Sequence, residues 1–467
     1  MIKTRFAPSP TGDPHIGNIR SALFAYLFAK KGRGQFLLRI EDTDQKRHDE
    51  KSIEIIKEAL LWLKIMPENF DEPMIQSKRL EIYKKAALKL IDDGFAYVCN
   101  CSKERLEEVR KAQAEKGLPP GYDGHCRDKG LPFEENSCVI RLKVPETGVT
   151  SFDDIVRGHV EFRNDTIDDQ VILKSDGFPT YHLAHVVDDE AMGITHVIRA
   201  EEWLPSTPKH IILNEALGFP IPKYAHLPVI LGPDKGKLSK RHGATGILEY
   251  RKQGYLWQAM VNFMVLLGWN PKTDQEIFDR KDVVYDELFE LFDLSQVNKS
   301  PAVFDVDKLN HFNRHYLQIT PAEDLIPVLD EDVIKKLPKE HLNRIVDMAK
   351  DRMTVLSDFE KTVEFILNEP KLDKNLLVFK KSNPDTTKKA LVLVQKELSA
   401  LSDWKAERVK EILERVVSIN GLSNGDVFWP ARYALSGLEK SAPPEEIAGV
   451  LGRDKSLQRI KVAEDLL

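Results

Sequence analysis

Ile2-Lys3-Thr4-Arg5-Phe6, followed by Ala7-Pro8-Ser9-Pro10-Thr11-Gly12-Asp13-Pro14-His15-Ile16-Gly17-Asn18, is the stretch that decides the fold. Ile2, Thr4 and Phe6 alternate with Lys3 and Arg5, which predicts a short strand. A proline- and glycine-rich turn runs from Pro8 to Pro14. Ile19, Leu23 and Leu27 then recur at i, i+4 and i+8, with Phe24 and Phe28 beside them, as one face of a helix. Lys30-Lys31-Gly32 supplies a basic last turn and a glycine stop. Phe36-Leu37-Leu38-Arg39-Ile40 is a buried-strand candidate that ends at Glu41-Asp42. Strand, turn, helix and strand make a βαβ unit, the building block of a parallel sheet with helices on both faces.

Working outward, residues 99–180 interrupt that pattern with cysteines, Pro119-Pro120-Gly121 and strand-like runs such as Val139-Ile140-Arg141-Leu142. They read as an inserted α+β domain. Val197-Ile198-Arg199 reads as the return to the parallel sheet. Towards the C-terminus Val409, Ile412, Leu413, Val416 and Val417 follow the helical period, and Glu411 precedes Arg415 by four. The expected organisation is a Rossmann-like catalytic domain over 1–98 and 181–240, an insertion over 99–180, a linking region over 241–315 and an all-α region over 316–467.

The 467 residues are 42% hydrophobic and 30% charged, the balance of a soluble globular protein. No window of 18 apolar residues exists, so no spanning helix is expected. The start runs directly into a strand with no room for a signal peptide, which predicts a cytoplasmic protein. A net charge of −6 counts against a wholly basic nucleic-acid binder but not against local basic patches on a balanced surface. Four cysteines read as thiols or metal ligands, and a monomer is the default.

Two polar tracts suit a nucleotide triphosphate. His15 lies in the turn that opens the first helix, where unpaired N–H groups attract phosphate. Asn18 adds a donor, and Gly17 has no Cβ to keep a flat base away. Lys237-Leu238-Ser239-Lys240-Arg241 follows Pro233-Asp234-Lys235-Gly236, as a loop whose cations neutralise charge developing on phosphates. Taken singly, the first reads more simply as a helix cap with an incidental histidine and the second as a solvated basic turn, the usual fate of such runs.

Together and in this order, the tracts resemble the HIGH and KMSKS signatures of class I aminoacyl-tRNA synthetases. They stand here as His15-Ile16-Gly17-Asn18 and Lys237-Leu238-Ser239-Lys240-Arg241. The opening Arg5-Phe6-Ala7-Pro8-Ser9-Pro10-Thr11-Gly12 is similar to that of bacterial-type glutamyl-tRNA synthetases. So are Glu41-Asp42-Thr43-Asp44, Tyr181-His182-Leu183-Ala184 and Val197-Ile198-Arg199-Ala200-Glu201-Glu202-Trp203. The resemblance implies that glutamate attacks the α-phosphate of ATP, carried with Mg²⁺. The acyl group then passes to the 3′-terminal adenosine of tRNA(Glu), with charging of tRNA(Gln) as well the alternative. It implies His15, Lys237 and Lys240 as the catalytic set. His15, Gly17, Asn18, Glu202, Trp203 and Lys240 would face ATP. Arg5, Ala7, Ser9, Glu41, Tyr181 and Arg199 would hold glutamate, with Glu41 on its ammonium and the two arginines near its side-chain carboxylate. Arg352 would meet the anticodon within the helical region, the anticodon-binding part of the family. Asp42 and Asp44 read as loop structure and not as a metal pair.

A shorter relative that glutamylates a modified anticodon base would lack the last ~150 residues. A glutamine-specific relative would lack Arg199 and end in a β-barrel. A small-molecule nucleotidyltransferase would not need the C-terminal third. Cys99-Asn100-Cys101 with Cys126 suggests a structural Zn²⁺. Some relatives place a histidine two residues past the last cysteine; this chain has Asp128 there. Asp128 and Tyr122 are rival fourth ligands, His125 and Cys138 are further options, and ordinary buried thiols are the competing reading.

Overall fold

The computed structural model describes residues 1–44, 50–238, 246–279 and 284–467. It divides into two compact units, 1–252 with 257–309 and 253–256 with 310–467.

In the first unit β1 (Lys3–Phe6) leads through the turn into α1 (Ile16–Lys31) and returns as β2 (Gln35–Ile40). β1 pairs with β2 in parallel from Lys3↔Gln35 to Phe6↔Leu38. The chain continues through α2 (Glu50–Trp62) to β3 (Met74–Ile75), which extends the parallel ladder from β2. Gly34 allows the return: a Cβ there would overlap the Ile2 carbonyl. The helix expected from one apolar stripe is buried on more than that stripe. Ile16, Ile19, Ala22, Leu23, Phe24, Ala25, Leu27 and Ala29 are all inaccessible or nearly so, because α1 packs against β1 and the later strand His196–Ala200 as well as two later helices.

After α3 (Leu80–Asp92) come β4 (Ala96–Cys99), α4 (Lys103–Glu115), β5 (Val139–Leu142), the hairpin β6 (Val149–Asp154) and β7 (Gly158–Arg163), and β8 (Val171–Leu173). α5 (Tyr181–Met192), β9 (His196–Ala200), α6 (Thr207–Leu217) and β10 (Lys223–Leu227) follow. β4, β5 and β8 form an antiparallel sheet. Its Ile140, Leu142, Ile172 and Leu173 share a core with α3 and α5. The hairpin β6–β7 instead joins β10, with Tyr224 opposite Asp154, and so widens the parallel sheet formed by β9 and β10. The stretch 99–180 therefore does not form one separate sheet.

The β1 and β9 blocks meet where the Thr195 N–H donates to the Lys3 carbonyl at 3.0 Å. Strands to one side of this seam run β1-β2-β3 and to the other β9-β10-β6. This is the order reversal at which open α/β sheets hold ligands, outside the strands' carboxyl ends.

Among its described residues the second unit has helices and no strand. Val409, Ile412, Leu413 and Val416 are buried on the helix Ala406–Asn420, as the period predicts. The expected Glu411–Arg415 pair does not form: Glu411 bonds Arg408 at 2.7 Å, and Arg415 reaches Glu397 on a neighbouring helix. The parallel α/β sheet, the insertion and the all-α C-terminal region agree with the sequence expectation of fold class.

Candidate active site

His15 is the N-cap of α1, and its Nδ1 accepts the Gly17 N–H at 3.2 Å. Accepting at Nδ1 leaves the hydrogen of the neutral ring on Nε2, free to donate to an oxyanion. Desolvation first, and the Lys237 ammonium second, push this histidine below its ordinary range, so the ring is neutral at pH 7. A Cβ at residue 17 would press on the ring at 3.2 Å. His15, Gly17, Asn18, Glu202 and Lys237 line one cavity of about 470 Å³. Lys237 pairs with Glu202. The Ile247 N–H donates to the Pro14 carbonyl at 3.0 Å, and a Cβ on Gly246 would overlap Asp13, so the chain rejoins the His15 turn closely at 246–247. Lys240 and Arg241 lie outside the described residues.

A second cavity of about 200 Å³ lies beside the first and shares Pro8, Ser9, Thr11, Asn18 and Ala200 with it. Arg5, Ala7, Ser9, Glu41, Tyr181 and Arg199 all line it, brought from β1, the turn, the residue after β2, α5 and β9. Trp203 belongs to this cavity and not to the larger one; its ring stands 4.3 Å from that of Tyr181.

The charges in this cavity are not equivalent. Arg5 donates to Asp189 at 3.2 Å, and Arg39 donates to the same carboxylate at 2.5 Å and to Glu41 at 2.9 Å. Burial pushes Glu41 up, against the pull of Arg39 and Arg5. Burial acts on Asp189 in the same direction, but Arg5 and Arg39 outweigh it and hold that carboxyl below its usual range. Arg199 has only neutral partners: Tyr181 Oη at 3.1 Å, Thr207 Oγ1 at 2.9 Å, His226 Nε2 at 3.1 Å, His210 Nδ1 at 3.3 Å and the Trp203 carbonyl. No carboxylate pairs with it among the described residues. A guanidinium can only donate, so Tyr181 Oη must accept from it and keeps its own hydrogen for the cavity. Arg199 and Tyr181 thus form a donor-only end, which suits two carboxylate oxygens and leaves an amide –NH₂ unpaired.

Comparison with known proteins fixes the family. Residues 1–311 match the model described as tRNA synthetases class I (E and Q), catalytic domain, and residues 320–464 match an anticodon binding domain. The chain belongs to the class I tRNA synthetases of the E and Q group. A glutamate–tRNA ligase of Dehalococcoides mccartyi (strain CBDB1) is 44% identical over 481 residues, covering 99% of this chain and 97% of that protein. One from Treponema denticola is 39% identical and covers 99% of each. A crystal structure of a glutamate tRNA ligase from Elizabethkingia meningosepticum, in complex with its amino acid, matches with a TM-score of 0.89. It is 34% identical and covers 99% of both chains.

Away from its two cavities, this class I synthetase gathers the Sγ atoms of Cys99, Cys101 and Cys126 within 4.8 Å of one another. Tyr122 Oη lies 3.4 Å from Cys99 Sγ and from Cys101 Sγ. Burial alone would raise the Cys99 thiol, yet hydrogen bonds with Tyr122, Arg141 and the Cys101 backbone bring it down to about 7. Asp128 is not part of the cluster: it is exposed and pairs with Lys143 at 3.1 Å. Cys138 turns to Glu134, and His125 to Lys129. In the helical unit Arg352 follows the helix Leu342–Lys350 and donates to the Met348 carbonyl at 2.5 Å. It lines a cavity of about 520 Å³ with Lys361 and Lys440. Asp42 is buried and accepts the Ser77 N–H at 2.7 Å, a structural role.

Sequence reasoning did not single out Arg39, Asp189, His210, His226 or Asp154. Arg39 carried a signal, a cation inside an apolar strand run. The others become recognisable only through partners far along the chain.

Proposed function

We propose that the chain is a glutamate–tRNA ligase. It activates L-glutamate with ATP, giving glutamyl-adenylate and pyrophosphate, and passes the glutamyl group to the 3′-terminal adenosine of tRNA(Glu). The observation that carries the reading is the pair of adjoining cavities. One has a neutral histidine donor at a helix N-terminus; the other has a buried arginine with no carboxylate partner among the described residues. Relatives named for the same reaction, matching over nearly the full length, support it.

In this reading ATP, carried as its Mg²⁺ complex, occupies the larger cavity along Gly17, Asn18 and Glu202, while Trp203, expected to face ATP, lines the smaller cavity instead. His15 Nε2–H meets the α-phosphate. Lys237 and Lys240 neutralise the departing pyrophosphate. Little covalent work falls to the protein, so orientation and charge dominate. Glutamate lies in the smaller cavity along Ala7 and Ser9, with its ammonium on Glu41 and its side-chain carboxylate on Arg199 and Tyr181. Arg5, shared with Asp189, adds a weaker positive field. Cys99, Cys101 and Cys126 would hold one Zn²⁺, with the Tyr122 hydroxyl as the fourth, oxygen ligand. The donor set fits a closed tetrahedral structural site, and zinc would brace the insertion that receives the acceptor end. The helical unit takes the anticodon, with Arg352 in contact. The enzyme works as a cytoplasmic monomer; among the described residues no helix is long and apolar enough to cross a membrane.

Labelled glutamate and glutamine, offered separately with ATP and purified tRNA(Glu), test the reading. Charging with glutamate alone is expected. Charging with glutamine, or ATP consumption that ignores tRNA, would overturn it.

A further inference from the structure

Arg199 is almost fully buried, and its orientation is set by two histidines whose ring protons can be assigned by logic. Arg199 Nε donates to His226 Nε2 at 3.1 Å, so that nitrogen carries the lone pair and His226 Nδ1 carries the hydrogen. His226 Nδ1 lies 2.6 Å from Asp154 Oδ2, which accepts it. On the other side the Arg199 terminal nitrogens reach His210 Nδ1 at 3.3 Å, which must again accept. His210 Nε2 therefore carries its hydrogen and donates to His182 Nδ1 at 3.0 Å. Donation runs outward from Arg199 along two arms, through His226 to Asp154 and through His210 to His182. Both rings are fully buried, Asp154 is nearly so, and Asp154 is further fixed by the backbone N–H groups of Val156 and Arg157. Asp154 ends β6, so the hairpin inserted into the sheet sets an angle inside the substrate cavity.

We infer that His226, oriented by Asp154, and His210 are positioning residues that aim Arg199 at the substrate's side-chain carboxylate while leaving its charge uncompensated. A carboxylate in their place would hold the guanidinium equally well but would cancel the charge the substrate needs. Neutral imidazole acceptors fix direction without doing so, and a carboxylate acts on Arg199 only through the intervening His226 ring. This rests on the reading of Arg199 as the ligand of the glutamate carboxylate.

The test compares Michaelis constants for glutamate and ATP in tRNA-dependent ATP–pyrophosphate exchange, with thermal midpoints as a check on folding. His210→Leu and Asp154→Asn are expected to raise the glutamate constant by about ten-fold, the size of one hydrogen bond to a charged group. The ATP constant should stay within about two-fold, since these groups lie away from the His15 cavity. His210→Asn, which returns an acceptor near the Nδ1 position, should recover most of the loss. A merely structural role would give no such split and no such recovery. Arg199→Ala is the control for the underlying reading. If Arg199→Ala is selective for glutamate but His210→Leu and Asp154→Asn move both constants alike, or neither, the positioning role is refuted and the role of Arg199 stands. If Arg199→Ala itself shifts both constants equally, the reading of Arg199 falls, and the positioning role with it.

Discussion

His15 illustrates how one side chain takes two tasks. Its Nδ1 caps α1 through Gly17, and the same bond fixes a donor on Nε2. Removing one such donor at a site of developing charge costs about 10²–10³ in rate. His15→Ala should lower ATP–pyrophosphate exchange by that order while the glutamate Michaelis constant stays nearly flat; an unchanged exchange rate would remove His15 from the chemistry. The sequence made this residue legible because helix opening and signature coincide there. Arg5, Ser9, Glu41, Tyr181 and Arg199 were legible through the resemblance, and the structure gathers them at one cavity. What the sequence could not separate was the two arginines. Arg5 and Arg199 look alike on the page; only the fold, by placing Asp189 from α5 beside Arg5 and not beside Arg199, makes their charges unequal.

At the scale of elements, β1, α1 and β2 were readable from alternation and period. The placement of the hairpin β6–β7 beside β10 was not, because pairing Asp154 with Tyr224 joins residues 70 apart (224 − 154) and leaves no local pattern. The tight α1–β2 connection depends on Gly34. Gly34→Ala would force a Cβ into the Ile2 carbonyl, and overpacking of this kind costs about 1–3 kcal/mol, seen as a lower thermal midpoint. In the insertion the spacing of the cysteines was legible but the fourth ligand was not, since Asp128 and Tyr122 differ only in which way the fold turns them. Metal analysis should find about one zinc per chain, retained in Asp128→Ala and lost in Cys101→Ser. Zinc lost with Asp128→Ala and kept in Tyr122→Phe would reverse that assignment.

Across the whole molecule, the buried histidines make stability acid-sensitive. Burial, together with nearby arginines, holds His182, His185, His210 and His226 below the ordinary value of 6.5, His182 at about 4. The unfolded chain therefore binds more protons than the folded one between about 6.5 and those lower values. Their contribution is complete above 6.5 and is lost as pH falls through that window. The thermal midpoint should be steady from pH 8 to 7 and drop progressively below about 6; replacing His182 with glutamine should flatten the drop. The second unit was legible as helical from period alone, while the proposed anticodon role of Arg352 rests on the resemblance, its cavity being lined by Lys361 and Lys440 and also by Asp358 and Glu364. Arg352→Ala should raise the Michaelis constant for tRNA several-fold and leave that for ATP alone, as expected for a residue that meets only RNA.

Selection of a side-chain carboxylate by Arg199, which has no carboxylate partner among the described residues, carries the proposed substrate preference. Its most direct test is the ratio of kcat/KM for glutamate over glutamine in tRNA-dependent pyrophosphate exchange, measured for the parent protein and for Arg199→Cys. A strong preference for glutamate is expected in the parent protein, collapsing by about two orders of magnitude in the variant with the ATP constant unmoved. A preference that survives in Arg199→Cys would contradict it.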